Sequence, residues 1–328
     1  AMARELLTHL TKLLEEPREV KGAFVVGAVV TGFACGVAAA FHFKRSSTSA
    51  SGGAVRSTTA SGVVKGGGSS VYESSKAVDE YLFFHYATPQ ELVPYECAPE
   101  AALEFPTRCA AECWRVFHGD TGHSMRALDI GCAVGRSSFE LARFFKEVVG
   151  IDFSQAFVDA ANDMKAKGSR KYVATVEGDI TQTLEANVAH AIDRQRVTFQ
   201  RGDACNLPES LGSFDAVLGA NLLCRLPDPA KFLARLPSLI NKGGVCVLIS
   251  PYSWLREYTD QKNWVGGYVN EDGTAHYSFE GLHAAMSPNF ELVSEKDMPF
   301  LIREHRRKYQ WGCSHCTVWR RKEELYML

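Results

Sequence analysis

Asp129 stands two residues ahead of Gly131, Gly135 follows four residues on, and Asp152 comes 21 residues after Gly131. Residues of these types at this spacing can hold a nucleoside. The glycines let the backbone pass close to a ligand with no Cβ in the way. An acid at the end of the next strand meets a pair of ribose hydroxyls. Asp152 closes the apolar run Val148-Val149-Gly150-Ile151, where that strand end is expected. A nicotinamide-binding turn uses the same devices, so the spacing alone does not choose the cofactor.

Asp129 favours one choice. The turn reads Asp-x-Gly-x-Ala-x-Gly, and a carboxylate there repels a pyrophosphate but suits the ammonium of a methionine moiety. Ala133 replaces a middle glycine, adding only a methyl group. A third apolar run ends in Asp203-Ala204, which offers a second acid for an adenine amino group. This order of acids and glycines resembles the class I methyltransferases and implies S-adenosylmethionine as cofactor. Its binding candidates are Asp129, Gly131, Cys132, Ala133, Gly135, Asp152, Phe153, Asp203, Ala204 and Asn221.

These residues need strands to aim them. Apolar runs predict strands at 127–130, 148–152, 199–204, 214–218 and 243–249, with two last strands at Phe290–Glu295 and Cys316–Arg320. Helices are expected over 98–117, from a Ser154 cap to about Lys167, over 229–240 and over 278–287. Pro106 is expected to kink or split the first of these. Residues 170–195 exceed a simple connection and read as an insertion. Alternating strands and helices predict an α/β, Rossmann-like, doubly wound sheet, mostly parallel, with an antiparallel last strand. In such sheets the ligand lies beyond the carboxyl ends of the strands. That rule selects Asn221, the segment Ser250-Pro251-Tyr252-Ser253-Trp254, and an expected loop, Met298–Gly312.

Composition sets the surroundings. The chain has 328 residues, a net charge of −2 and ten cysteines. That charge gives no reason to expect nucleic acid as a partner. No cysteine pattern suggests a disulfide framework, so a reducing compartment such as the cytosol is expected. Cys313-Ser-His315-Cys316 is half a metal motif without a second ligand pair, so no metal is expected. Residues 23–43 hold no charge and have the length of a membrane-crossing helix, flanked by Lys21 and by Lys44-Arg45. Residues 1–45 therefore read as a single-pass membrane anchor. An organellar or other targeting segment and an accessory helix are the alternatives, although Glu5, Glu15, Glu16 and Glu19 disfavour a plain mitochondrial presequence. A Ser/Gly-rich linker follows over 46–71, and one catalytic domain over 72–328.

Longer motifs narrow the resemblance. Asp129 to Leu141, Gly219 to Pro229, Met298 to His305 and Arg307 to Gly312 closely resemble the 4-mercaptohistidine N1-methyltransferase family, over roughly residues 72–322. The same domain forms the C-terminal part of 5-histidylcysteine sulfoxide synthase. The resemblance implies methyl transfer from S-adenosylmethionine to a ring nitrogen of 5-thiohistidine, giving ovothiol A, with a separate sulfoxide synthase and lyase upstream. A zwitterionic acceptor calls for a cation at its carboxylate and an acid at its ammonium. Arg303 or Arg307 is expected to clamp the first and Glu304 to receive the second, with His305 or Tyr309 at the ring. Arg303, His305 and Tyr309 are thus the catalytic candidates. Tyr81, Phe84, His85, Tyr86, Tyr252 and Trp254 are expected to form walls and lid. Two other readings stand beside this one: a membrane-tethered methyltransferase acting on a lipid or quinone, and a cofactor-binding scaffold without turnover.

Overall fold

In the computed structural model of this chain, residues 72–117 and 125–323 are described. The apolar stretch 23–43 and the linker 46–71 lie outside them. Among the described residues no helix is long and apolar enough to cross a membrane.

The elements follow one another as α1 (Ser75–Tyr86), α2 (Pro89–Leu92), α3 (Phe105–Val116), β1 (Arg126–Ile130), α4 (Arg136–Leu141), β2 (Glu147–Asp152) and α5 (Gln155–Lys167). The chain continues through β3 (Ser169–Glu177), β4 (Ile180–Asn187), β5 (Val197–Arg201), β6 (Phe214–Ala220), α6 (Pro229–Leu239) and β7 (Ile240–Ser250). After the two-residue strands β8 (Tyr268–Val269) and β9 (Ala275–His276) come α7 (Ser278–Met286), β10 (Phe290–His305) and β11 (Lys308–Arg321).

Seven strands form one sheet in the order β10-β11-β7-β6-β1-β2-β5. The pairs β7/β6, β6/β1, β1/β2 and β2/β5 are parallel, while β11 runs antiparallel to both of its neighbours. Period-two alternation sends successive strand residues to opposite faces. Ala127, Ala216, Leu218, Val245 and Val247 face the cluster built on α1, α3, α4 and α5. Leu128, Ile130, Val217, Cys246 and Leu248 face the cluster on α6 and α7. Fully buried rings such as Phe139 and Phe232 anchor the two faces, each worth about 2–3 kcal/mol in apolar surface removed from water.

Local chemistry sets the helix ends. Ser154 Oγ accepts from Phe157 N at 3.2 Å to start α5, and Gly168, at φ 83°, ends it in the left-handed region. Pro106 sits in the first turn of α3, where a missing N–H costs nothing. The expected helix over 98–117 is accordingly split into a short 3₁₀ turn, Glu100–Ala102, and α3.

The expected insertion over 170–195 is present, as a separate two-stranded antiparallel hairpin, β3–β4. The expected loop Met298–Gly312 is no loop: β10 and β11 stay paired from Phe290↔Arg321 to His305↔Lys308, leaving only Arg306-Arg307 as the turn. The position is as expected, because His315 pairs with Ser250 at the end of β7 and the rest of the hairpin runs on past it.

Candidate functional site

The glycine turn joins β1 to α4. Gly131 has φ 75° and Gly135 has φ 86°, both in the left-handed region, and Gly135 opens α4. The amides of Gly131 and Cys132 both donate to Ile151 O, at 2.8 and 3.1 Å, which locks the turn against the end of β2. Ala133 also lies in the left-handed region, at φ 46°. Its methyl group is therefore less innocent than the sequence suggests, since an L-residue pays about 1–2 kcal/mol there. Ala133→Gly is expected to leave the melting temperature unchanged or raise it slightly, because the relief of strain and the added freedom of the unfolded chain oppose each other.

Asp152 ends β2 and is half-buried. Its Oδ2 accepts from Ala133 N at 2.8 Å and its Oδ1 from Ser154 N at 2.9 Å. The carboxylate thus ties the turn to the α5 cap, and each oxygen keeps a lone pair for a ribose hydroxyl. Burial raises its pKa, with the backbone bonds opposing. Phe153 beside it is exposed, with the Arg201 guanidinium 5.5 Å over its ring. Asp203 accepts from Cys205 N at 2.8 Å, and Ala204 next to it is buried. Asn221 has φ 51° and its Oδ1 accepts from Ser314 Oγ at 2.7 Å. These groups share the carboxyl ends of β1, β2, β5 and β6, as the spacing predicts.

Asp129, at the end of β1, is only 2% exposed, and its carboxyl accepts from Ser138 Oγ at 2.6 Å. Its neighbour Cys132 is buried too. Burial pushes the Asp129 carboxyl up to about 7, the charge of Asp152 adding and the Ser138 bond opposing. The native state therefore keeps a proton that the unfolded chain gives up near 3.8. This group makes the fold lose stability as pH rises from about 4 to 7, and no further above that. Asp129→Asn is expected to flatten that slope, so that its urea midpoint gains on the wild type between pH 5 and pH 8.

Helix α1 roofs the turn. Tyr86 donates from its hydroxyl to Val134 O at 2.9 Å. Tyr81 packs on Phe157 at 4.6 Å and on Tyr72 at 6.0 Å, and burial with the charge of Asp152 holds its phenol up at about 12. The loop after β7 reaches the same place, where Tyr72 Oη donates to Tyr258 Oη at 3.5 Å. Arg225 lies 4.9 Å over the Tyr258 ring.

Beside this roof is a cavity of about 290 Å³, bordered among others by Phe84, His85, Tyr86, Glu104, Thr107 and Arg136. His85 Nδ1 and Arg136 Nε are buried there without hydrogen-bond partners. Burial, reinforced by the Arg136 charge, holds His85 down at about 3, so its imidazole is neutral. Arg136 pairs with buried Glu140 at 2.9 Å, and Glu140 also pairs with Arg143 at 2.6 Å. Arg136, Glu104 and Thr107 were missed in the sequence. The available signal for Arg136 was its place directly after Gly135, at the first position of α4.

The hairpin candidates are committed elsewhere. Arg303 is buried, donating to Glu91 O at 2.7 Å and to Thr175 O at 3.4 Å, with its guanidinium 5.0 Å over Phe83. It clamps backbone carbonyls and not a free carboxylate. Glu304 pairs with Lys308 at 2.6 Å and accepts from Gln310 at 2.9 Å. His305 Nδ1 accepts from Arg307 N at 3.3 Å, Tyr309 donates to Arg306 O at 2.8 Å, and Arg307 is exposed in the turn. Trp254 is core, not wall: it is 9% exposed, donates to Ser278 Oγ at 2.8 Å and stacks on Trp264 at 6.0 Å. Tyr252, at φ 51°, lies 3.1 Å from His315 Nδ1.

Residues 128–248 match a family described as a methyltransferase domain. The chain is 29% identical over 126 residues to the chloroplastic tocopherol O-methyltransferase of Arabidopsis thaliana, covering 38% of this chain and 30% of that one. It is 26% identical over 142 residues to the ajmaline N-methyltransferase of Rauvolfia serpentina, covering 43% of this chain and 41% of that one. The chain thus spans less than half the length of these two relatives. Among solved structures, the magnesium protoporphyrin IX methyltransferase of Synechocystis PCC 6803 with bound S-adenosylmethionine aligns over 80% of this chain and 100% of that one, at 14% identity and a TM-score of 0.46. Over residues 128–248 the chain is thus similar to methyltransferases that use S-adenosylmethionine. The turn fits that cofactor: backbone glycines at Gly131 and Gly135, and free lone pairs on Asp152.

Proposed function

We propose that this chain, carrying a class I methyltransferase domain, transfers the methyl group of S-adenosylmethionine to an imidazole ring nitrogen of 5-thiohistidine, giving ovothiol A. One observation carries the choice of a small polar acceptor: the cavity of about 290 Å³ against the glycine-turn helix, with unpartnered nitrogens of His85 and Arg136 in its wall. The long motifs around Asp129, Asn221 and Arg307 support the choice among small acceptors. Arg136 takes the carboxylate role first assigned to Arg303. Neutral His85 offers the ring a hydrogen-bond partner.

The bound cofactor supplies an electrophilic methyl on a sulfonium. The protein supplies orientation, which accounts for most of the rate in an in-line displacement. Asp152 fixes the ribose, Tyr86 holds the turn through Val134 O, and the roof of Tyr72, Tyr81 and Tyr258 excludes water. Orientation also determines the product, because the acceptor's thiolate is the better nucleophile and has to be held away from the methyl group. In this reading residues 1–45 anchor or target the domain, residues 46–71 tether it, and a separate synthase and lyase supply its substrate.

The test is turnover of S-adenosylmethionine with 5-thiohistidine, product mass and the methyl position by NMR. A ring-N-methylated product supports the reading, and S-methylation or no product removes it. A lipid or quinone acceptor is the competing outcome. It requires a long apolar slot, whereas Glu91, Glu104, Arg136 and Glu185 border this cavity.

A further inference from the structure

The acceptor cavity has a cation in its wall, Arg136, and an amino-acid acceptor also needs an acid for its ammonium. Glu304, the acid expected for that role, is paired with Lys308 and Gln310 on the hairpin. Glu91, Glu104 and Glu185 border the cavity instead. Two of these are engaged. Glu91 Oε2 accepts from the Thr88 amide at 2.8 Å and from Thr88 Oγ1 at 2.9 Å, closing the capping box of α2. Glu185 Oε1 accepts from Ser169 Oγ at 3.1 Å, across the β3–β4 hairpin.

Glu104 differs from both. It is exposed and stands at the N-cap of α3 with φ 51° and ψ 35°, a left-handed conformation uncommon for any residue but glycine. Strain of this kind persists where the surroundings enforce it, and it gathers at ligand sites. Its side chain does not cap the helix, and among the described residues its carboxylate joins no hydrogen bond or ion pair. Arg108, one turn further on, feels its charge but directs its guanidinium to Leu103 O, at 2.8 Å, and to Pro299 O.

The position matches a particular ligand. Thr107 is the third residue of α3, and N-cap and third positions are neighbours on a first helical turn. Thr107 Oγ1 accepts from Arg136 Nη2 at 3.4 Å. Glu104 therefore enters the cavity wall one turn from the point where Arg136 is held. An α-amino acid carries its carboxylate and its ammonium on a single carbon, so it calls for a cation and an acid that close together. The Arg136 guanidinium also lies 5.4 Å over the ring of Tyr86, whose hydroxyl bonds the cofactor turn.

We propose that Glu104 is the ammonium subsite of the acceptor cavity. The chain thereby selects a free α-amino acid, held between Glu104 and Arg136, over the same ring without its amino group. Glu104 acts on acceptor binding and takes no part in the bond changes of methyl transfer. This rests on the amino-acid acceptor reading above.

The experiment measures kcat and KM of the full chain and of Glu104→Gln with two acceptors, 5-thiohistidine and its deamino analogue, which keeps ring, thiol and carboxylate. Cofactor Kd and melting temperature are read beside them. The wild type is expected to prefer 5-thiohistidine about 20-fold in kcat/KM, chiefly through KM, as for the loss of one charged hydrogen bond. Glu104→Gln is expected to shrink that preference to within threefold, with cofactor Kd and melting temperature near wild type. A merely structural Glu104 would lower melting temperature and both rates together and leave the preference intact, which overturns the subsite. No preference in the wild type overturns it as well, while methylation of 5-thiohistidine keeps the acceptor reading. Weaker cofactor binding in Glu104→Gln with an unchanged preference overturns it too, and gives the cavity to the methionine end of the cofactor. A wild type that methylates neither acceptor overturns the subsite together with the reading beneath it.

Discussion

Asp152→Asn is expected to weaken S-adenosylmethionine binding by about 100-fold or more. A hydrogen bond to a charged acceptor contributes about 1.5–3 kcal/mol, and in the proposed role this carboxylate accepts two from the ribose. Its oxygens already accept from Ala133 N and Ser154 N. The substitution thus removes charge from the ribose site and also loosens the turn against the α5 cap. Calorimetric titration with the cofactor measures the first effect and thermal melting the second. An affinity within threefold of wild type would mean that the ribose is held by other groups.

Gly135→Ala is expected to cost about 3 kcal/mol of stability, joining left-handed strain to overpacking. A Cβ there would meet Phe199 Cζ at 2.6 Å and Ala161 Cβ at 3.2 Å, at φ 86°. For a domain of this size the melting temperature should fall by about 10 °C. Gly178 is the control: it has φ 55° but nothing within 4 Å. Gly178→Ala carries the backbone strain alone, so it should lose about 1 kcal/mol. Equal losses at the two positions would show that packing against Phe199 contributes nothing.

The parts of the site made by backbone were legible in the sequence, because glycine spacing and strand ends are local signals. Gly131, Gly135, Asp152 and the Ser154 cap needed no knowledge of distant residues. What failed depended on partners far along the chain. Arg303 looked like a free cation because nothing local says that Glu91 O, Thr175 O and the Phe83 ring would enclose it. It also hid a strand. Buried Arg303 occupies an inward position, so the alternation of β10 broke just where it continued. Trp254 was misplaced for a similar reason, since its Ser278 and Trp264 partners come 24 and 10 residues later. Arg136 and His85 carry their meaning only once α1 folds back over the turn.

The position of β11 has a consequence for how the chain is made. Among the described residues it is the last strand in sequence, but it lies inside the sheet, between β7 and β10. Until the ribosome has delivered residues 308–321, β7 has one bare edge and β10 has no neighbour to join. The sheet therefore closes only once β11 has been made, and a nascent chain halted before Lys308 presents the apolar, β-branched edge of β7 to whatever strand it meets first.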